Sequence, residues 1–391
     1  MLSVGIFTYS TKPRGSVVHA AALAEALCDR GHRATLYALS KPGEGFYRPL
    51  RCPLHLFPAE AANREMDQLV KQRIAEFVRG LRELAARHDV YHAEDCLAAN
   101  ALLGAASFGV GPVVRTVHHV EHFESPYLAE CQRRSIERAA LLFSVSSFTQ
   151  SEVQREFSRH ALLTRNAVDR TRFLGTPEPS ANELERRFGI RAGDRIVLSV
   201  GGVEPRKNSL AQLGAVTRVL ATEPRVRWLI AGGASIFDHS SYRAEFEAQL
   251  SLLPAELRSR IVCTGQLSED ELTWLYQRSD ALLCASLLEG FGLCVLEALA
   301  AEAPVIVSQE RPFTEYLSEQ SACFVDPHSV ESIAAGLARV LTDRPFAAHL
   351  RANGLALSAG FSWDSAANDH VSHYQALLRR REPEQLPCAV G

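Results

Sequence analysis

Ser286-Leu-Leu-Glu-Gly-Phe-Gly-Leu-Cys-Val-Leu-Glu-Ala-Leu-Ala300 follows the apolar run Asp280-Ala-Leu-Leu-Cys284, and the reading of the chain turns on this junction. The pattern predicts a strand that ends, a Glu-Gly-Phe-Gly turn, and a helix that starts near Leu293. A helix N-terminus offers unpaired amide donors and the positive end of the helix dipole. The turn residues Gly290, Phe291, Gly292 and Leu293 therefore suit phosphate oxygens. Glu289 sits in the turn and Glu297 eight positions later in the helix, so the two carboxylates would meet one elongated ligand at different points. A carboxylate beside a phosphate site is useful only towards hydroxyl donors, such as a ribose diol or a sugar. The plainer alternative makes Glu289 a helix cap and Glu297 a solvated surface group.

A second run has the same layout. Val200-Gly-Gly-Val-Glu-Pro-Arg-Lys-Asn208 lies after an expected strand, 195–200, and before an expected helix, 208–221. Glycines at 201 and 202 let a backbone turn approach a ligand, and Arg206 with Lys207 supplies two cations for a diphosphate. Its plainer alternative is a loop with a solvated Arg-Lys pair.

Outward from these runs, short apolar stretches alternate with amphipathic helical patterns along the chain. In the first half the expected strands are 3–8, 34–38, 90–92, 112–117 and 141–145, and the first helix, 17–30, stops at Gly31. In the second half they are 195–200, 228–231, 261–264, 281–285 and 304–307, with helices at 208–221, 269–277 and 293–301. Periodicity fails around Leu174-Gly-Thr-Pro-Glu-Pro-Ser-Ala181, which suits an exposed connector. Two α/β domains are expected, 1–173 and 182–362, with a C-terminal helix at about 363–382 that returns to the first. Such halves place ligands where the carboxyl ends of their strands face a cleft.

Composition is that of an ordinary globular protein. The 391 residues are 47% hydrophobic and 22% charged, with a formal net charge of −3, so no basic field points to nucleic acid. The nine cysteines are an odd set without Cys-x-x-Cys spacing and read as reduced thiols. The N-terminus lacks the parts of a signal peptide and no apolar run reaches membrane-spanning length, so a cytoplasmic protein is expected. The helix expected at 64–87 carries Lys71, Arg73, Arg79, Arg82 and Arg87 among apolar positions. Peripheral contact with an acidic membrane is one reading of it, a core-packing solvated helix the other.

The second half resembles glycosyltransferase family 4, retaining enzymes with the GT-B fold of two Rossmann-like, doubly wound parallel-sheet domains facing across a cleft. The resemblance is carried by the Glu-x7-Glu segment 289–297, by Glu204-Pro-Arg-Lys-Asn208, by Gly265 before Leu272 and Tyr276, and by Ala303-Pro-Val-Ile306. The first half is similar through Pro13-Arg-Gly15, Leu23, Leu27, Arg30-Gly-His32 and Arg165-Asn-Ala-Val-Asp169. Where many members carry Gly-Gly and Gly-Arg, this chain has Gly15-Ser16 and Gly201-Gly202, which leaves Arg206 as the guanidinium for the leaving diphosphate.

The resemblance implies a metal-independent transferase without a cofactor, moving a hexose from a nucleotide-diphosphate sugar to a hydroxyl acceptor that is a carbohydrate, a lipid-linked sugar or a small molecule. It implies catalytic roles for Glu289, Arg206, Lys207 and His118, with His119 as the near alternative to His118. Donor binding falls to Gly15, Arg206, Lys207, Gly290, Phe291, Gly292, Leu293 and Glu297. Rival readings on the same fold are a nucleotide-sugar epimerase, a phosphorylase or a non-catalytic binder. The segment His118-His-Val-Glu-His122 also fits a zinc-peptidase pattern, which requires a mid-helix setting.

Overall fold

The computed structural model describes residues 1–63, 65–164, 166–175, 181–233 and 239–380. They form two compact units, Met1–Asn166 with the segment from Trp363, and Ala167–Ser362. Arg165 of the expected 165–169 run, most of the connector 174–181, position 64 and the end of the helix expected at 363–382 lie outside the described residues.

The first unit is built on β1 (Ser3–Thr8), β2 (Arg33–Ser40), β3 (Leu54–Pro58), β4 (Val90–Ala93), β5 (Val113–Val117), β6 (Leu141–Ser144) and β7 (Leu162–Leu163). All pairings are parallel, in the order β3-β2-β1-β4-β5-β6-β7. The order reverses direction at the β1/β4 pair, so the loops leaving these two strands diverge and open a crevice at their carboxyl ends. β1 is buried on both faces. Val4 and Ile6 pack with Leu23, Leu27 and Tyr374, while Phe7 packs on the other face with Tyr37, Phe77 and Leu102. Burial on two faces is why the strand reads as a continuous apolar run rather than an alternating one.

The helix Gly15–Asp29 stops as expected at Gly31, which adopts φ 78°. The helix Trp363–Arg379 packs its Ala367 and Tyr374 into the core of this unit, and Arg30 pairs with Asp364 at its start. The helix expected at 64–87 is realised as Met66–Glu83, and its basic face is reduced: Arg73 is buried and bonded to Glu76 at 2.6 Å, beside core Phe77 and Leu81. No helix among the described residues is long and apolar enough to cross a membrane.

The second unit repeats the plan with β8 (Arg195–Val200), β9 (Val226–Ala231), β10 (Ile261–Gly265), β11 (Ala281–Cys284), β12 (Val305–Ser308) and β13 (Cys323–Val325). The strands are parallel in the order β10-β9-β8-β11-β12-β13, and direction reverses at the β8/β11 pair. Residues 167–173, expected in the first domain, group with this unit. The reason is visible in their contacts: Arg172 Nε donates to Thr273 Oγ1 at 2.7 Å, and the Phe173 ring lies edge-on to Tyr276 with centroids 6.0 Å apart.

The sequence reading missed β3, β7 and β13. β3 and β7 are partly exposed at or near a sheet edge, β7 and β13 span two and three residues, and β3 ends in Pro58. Too few inward positions remain for a period to show. Among the described residues the cysteines form no disulfide, and Cys263 is exposed; Cys388 lies outside them.

Two histidines lie between the C-terminal helix and the first sheet, His92 bonding across to Tyr374 and His370 packing on Phe143 with ring centroids 4.5 Å apart. His92 hydrogen-bonds Tyr374 Oη at 2.5 Å and Thr116 Oγ1 at 2.7 Å, and His370 Nδ1 donates to Ala366 O at 2.7 Å. Burial pushes His92 down from 6.5 to about 4 and His370 to about 3. Both rings are thus neutral when folded, whereas the unfolded chain protonates them below about pH 6.5. Their contribution is full above that pH and is lost as pH falls towards 4, by about 1.4 kcal/mol per pH unit for each ring. Thermal unfolding is expected to show Tm falling steadily from pH 7 to pH 5, with a shallower slope in His370→Phe; a flat profile in the parent protein contradicts this account.

Candidate functional site

Topology brings the two quoted runs together in the second unit, because they leave the adjacent strands β8 and β11. The loops are stitched by their backbones: Leu287 N donates to Arg206 O at 2.9 Å. Asn208, at φ 60°, donates its side-chain amide to Ala285 O at 3.1 Å and Pro327 O at 2.6 Å.

At the centre, Lys207 Nζ donates to Glu289 Oε1 at 2.5 Å, Ser286 Oγ donates to the same oxygen at 2.9 Å, and Arg206 Nη1 reaches Oε2 at 3.3 Å. Burial alone would raise the pKa of Glu289. The charges of Lys207 and Arg206 and the bonds from Lys207 and Ser286 outweigh it and hold the carboxyl at about 2. Burial opposes the charge of Lys207 in the same way, and Glu289 reverses the balance so that its pKa is raised. Arg206 also lies 3.2 Å from Glu204 and keeps 40% of its side chain exposed, against 10% for Lys207.

The glycines before this pair serve the protein's own packing. A Cβ on Gly201 would lie 2.5 Å from the Lys207 Cε, and one on Gly202, at φ 77°, would lie 2.9 Å from Gly233 O. Both glycines have a reason inside the protein: one admits the lysine stem and the other the 232–233 backbone.

The turn is fixed from behind. Phe291 stacks on Tyr316 with centroids 4.6 Å apart and planes at 6°, and Tyr316 Oη donates to Phe291 O at 3.1 Å. Gly292, at φ 92°, caps the helix Leu293–Ala300, and a Cβ there would meet the Phe313 ring at 2.6 Å. No side chain caps this helix, and Gly290 and Leu293 are partly exposed. Glu289 is thus no helix cap. Glu297 is no solvated group either, since Oε2 accepts from Tyr276 Oη at 2.7 Å and Oε1 from Arg172 Nη1 at 3.0 Å. Arg172 was missed in the sequence because it lies 125 residues away from Glu297 and only folding brings it there.

In the first unit, His118 follows β5 and donates from Nε2 to Glu94 Oε2 at 2.8 Å. His119 turns instead to Glu121, 2.9 Å away and 42% exposed in its own side chain. Gly15 opens the helix Gly15–Asp29, and a Cβ on it would meet nothing within 4 Å. Among the described residues one group of His, Cys, Asp or Glu has metal-compatible spacing: His19, Glu94 and His118, with ligand atoms within 4.8 Å of one another.

Comparison with known proteins accounts for both units. The family described as glycosyl transferases group 1 matches residues 180–356, and glycosyltransferase family 4 matches residues 13–172. The chain belongs to the group 1, family 4 type glycosyltransferases. O-antigen chain mannosyltransferase B of Escherichia coli is 27% identical over 278 residues, 68% of this chain and 70% of that one. Serotype-specific mannosyltransferase WbdA of Escherichia coli is 32% identical over 188 residues, 48% of this chain but 22% of that much longer one. Among solved structures, sucrose-phosphate synthase from Thermosynechococcus elongatus superposes with a TM-score of 0.79 at 19% identity, covering 97% of this chain and 100% of that one. Anabaena Alr3699/HepE in complex with UDP and glucose gives 0.77 at 18%, covering 96% and 100%. The fold of this glycosyltransferase is GT-B.

The zinc-peptidase pattern does not survive in the glycosyltransferase. His118 to His122, with the pattern histidines His118 and His122 at its two ends, lie outside any helix, the next one starting at Pro126 behind its Ser125 cap. The two histidines of the pattern consequently lack the shared helix face that it needs.

Breaking a buried ion pair from one side strands the other charge, at a cost of roughly 3–5 kcal/mol. Lys207→Met and Glu289→Leu are each expected to lower stability on this scale, and the double variant to lose clearly less than the sum. Urea unfolding of the three variants measures the coupling; strictly additive losses show that the pair carries none.

Proposed function

We propose that this glycosyltransferase is a retaining hexosyltransferase that takes its sugar from a nucleotide-diphosphate donor bound at residues 201–297. The observation that carries the reading is the buried Glu289 carboxylate, kept ionised by Lys207 and Arg206 beside a helix end that no side chain caps. Fixed positive charge next to an acceptor for hydroxyls is what a sugar diphosphate requires.

As the anomeric C–O bond breaks, negative charge grows on the diphosphate. Arg206, Lys207 and the amides near Gly292 and Leu293 stabilise that charge more than the ground state. Glu289 faces the sugar as it flattens towards an oxocarbenium-like state, and Glu297, steadied by Arg172 and Tyr276, accepts from the ribose hydroxyls. By family resemblance His118 and the Gly15 loop serve the sugar side, and the leaving phosphate helps to deprotonate the acceptor hydroxyl on the same face, giving retention. The mannosyltransferase names among the relatives and the UDP and glucose of a structural neighbour support a hexose as the group transferred.

Two cations and a helix end supply the charge that a divalent ion would otherwise bring to the diphosphate, so the reaction is read as metal-independent. Transfer of label from a radioactive nucleotide sugar to an acceptor is expected to continue in EDTA. Loss of transfer on chelation with recovery in manganese or magnesium would reassign the role of Arg206 and Lys207. Label that stays on the nucleotide as an epimer, or no turnover at all, would favour the epimerase or the non-catalytic binder.

The two glutamates separate by kinetics. Glu297→Ala is expected to raise the donor KM with little change in kcat, because the ribose contact is the same in ground and transition states. Glu289→Gln is expected to lower kcat while nucleoside diphosphate Kd stays near that of the parent. The opposite pattern exchanges their roles, and two unaffected variants remove the site.

A further inference from the structure

The first unit holds a buried carboxylate that the mechanism above does not use. Glu94 leaves β4 with its side chain wholly buried, and its backbone N–H donates to Phe7 O at 2.9 Å, so the root of the side chain is fixed at the β1/β4 reversal. Its Oε2 accepts from His118 Nε2 at 2.8 Å and lies 2.9 Å from His19 Nδ1, inside ion-pair range but outside hydrogen-bond alignment. Its Oε1 has no hydrogen-bond partner and stands 3.8 Å from His92 Nε2. The His19 ring, itself walled by Trp363 at 5.3 Å, lies edge-on to His118 at 5.1 Å. His118 is the one member of the trio with any exposure, 15% of its side chain.

A neutral imidazole has one N–H and one lone pair, and the partner of one nitrogen settles which is which. An ionised carboxylate can only accept, so a neutral His118 bonded to Glu94 through Nε2 carries its proton there and presents Nδ1 as an acceptor. The geometry points to Glu94 as a positioning residue that fixes His118 in the Nε2–H form, so that Nδ1 accepts from a neutral hydroxyl of the ligand. This rests on the sugar-facing role proposed for His118. Burial lowers the pKa of His118 although Glu94 opposes the shift, which agrees with a neutral ring. The recognised group is then a hydroxyl and not a carboxylate or phosphate, since either anion would meet a lone pair with the Glu94 charge behind it. Hexose donors are selected over hexuronate donors at this point.

The same three residues invite comparison with a His2Glu zinc set. Zinc held at about 2.0–2.2 Å from each ligand would keep tetrahedral ligand atoms roughly 3.4 Å apart. The observed 2.8 Å between Glu94 and His118 is a separation bridged by a proton, and the 2.9 Å between Glu94 and His19 is likewise shorter than two ligands of one zinc ion would keep.

Imidazole 1H–15N correlation spectra of the whole protein, with the His118 signals assigned by their loss in His118→Gln, test the idea directly. His118 is expected as the Nε2–H tautomer in the parent protein and as a mixture in Glu94→Gln, whose amide can either donate or accept. In the same variant kcat is expected to fall by about 10–10², the scale for losing a group that orients a histidine, with nucleoside diphosphate Kd within about twofold. An Nδ1–H tautomer in the parent, an unchanged tautomer in Glu94→Gln, or stoichiometric zinc retained after zinc loading and lost in Glu94→Gln overturns the proposal. The parent spectrum decides the tautomer even where the variant fails to fold. A tautomer that shifts as expected, with full transfer activity in both Glu94→Gln and His118→Gln, supports the hold of Glu94 on the ring and sinks the sugar-facing role of His118 instead.

Discussion

A carboxylate taken out of water must be matched by positive charge and hydrogen bonds, and in the second unit nearly every unusual local feature follows from how Glu289 meets that requirement. Lys207 supplies the charge, and its stem passes where only a glycine at 201 leaves room. Asn208, in the left-handed region, turns the chain after the lysine and anchors it to Ala285 and Pro327. Ser286 fills the remaining lone pair, and Phe291 on Tyr316 holds the turn that carries the glutamate. The result is a charged centre whose parts are held in place by one another, the arrangement that electrostatic stabilisation without reorganisation requires.

Strand order makes that centre possible. In both units the direction of winding reverses beside the first strand, at β1/β4 and at β8/β11, and the chemically loaded loops sit at those two reversals. In the second unit the loops bring Lys207 to Glu289; in the first the exit of β4 places Glu94 against His118 from the neighbouring β5, with His19 from the helix that follows β1. Both reversals hold a buried glutamate against basic side chains. One pairs with a lysine and an arginine, suited to a diphosphate, and the other with imidazoles, His92 and His118 among them being pushed towards the neutral form by burial, suited to hydroxyls.

The sequence was a good guide to the long elements and a poor one to what holds the site. The strand at 3–8 and the helix expected at 17–30, found as Gly15–Asp29, were legible because apolar pattern and length gave them away. The strands β7 and β13 were not, since two or three residues carry no period, and β3 was hidden by its partly exposed residues and terminal Pro58. Glycine at 201 and 202 was read as access for a ligand, because a sequence shows that a glycine is permitted but not which atom requires it. Arg172 and Tyr276 on Glu297, and Glu94 on His118, are partners far apart in the chain, and no local spacing announces them.

By itself the sequence determined that this chain is two α/β halves of parallel strands and which residue types stand at each strand exit, because periodicity, turn glycines and charge are local properties. Only the tertiary structure decided that Lys207 neutralises Glu289, that Glu297 is shared by Arg172 and Tyr276, and that His118, not His119, is held by a buried carboxylate. Those outcomes depend on distances between groups from different strands and helices, and on the removal of water from around them. Folding sets both together.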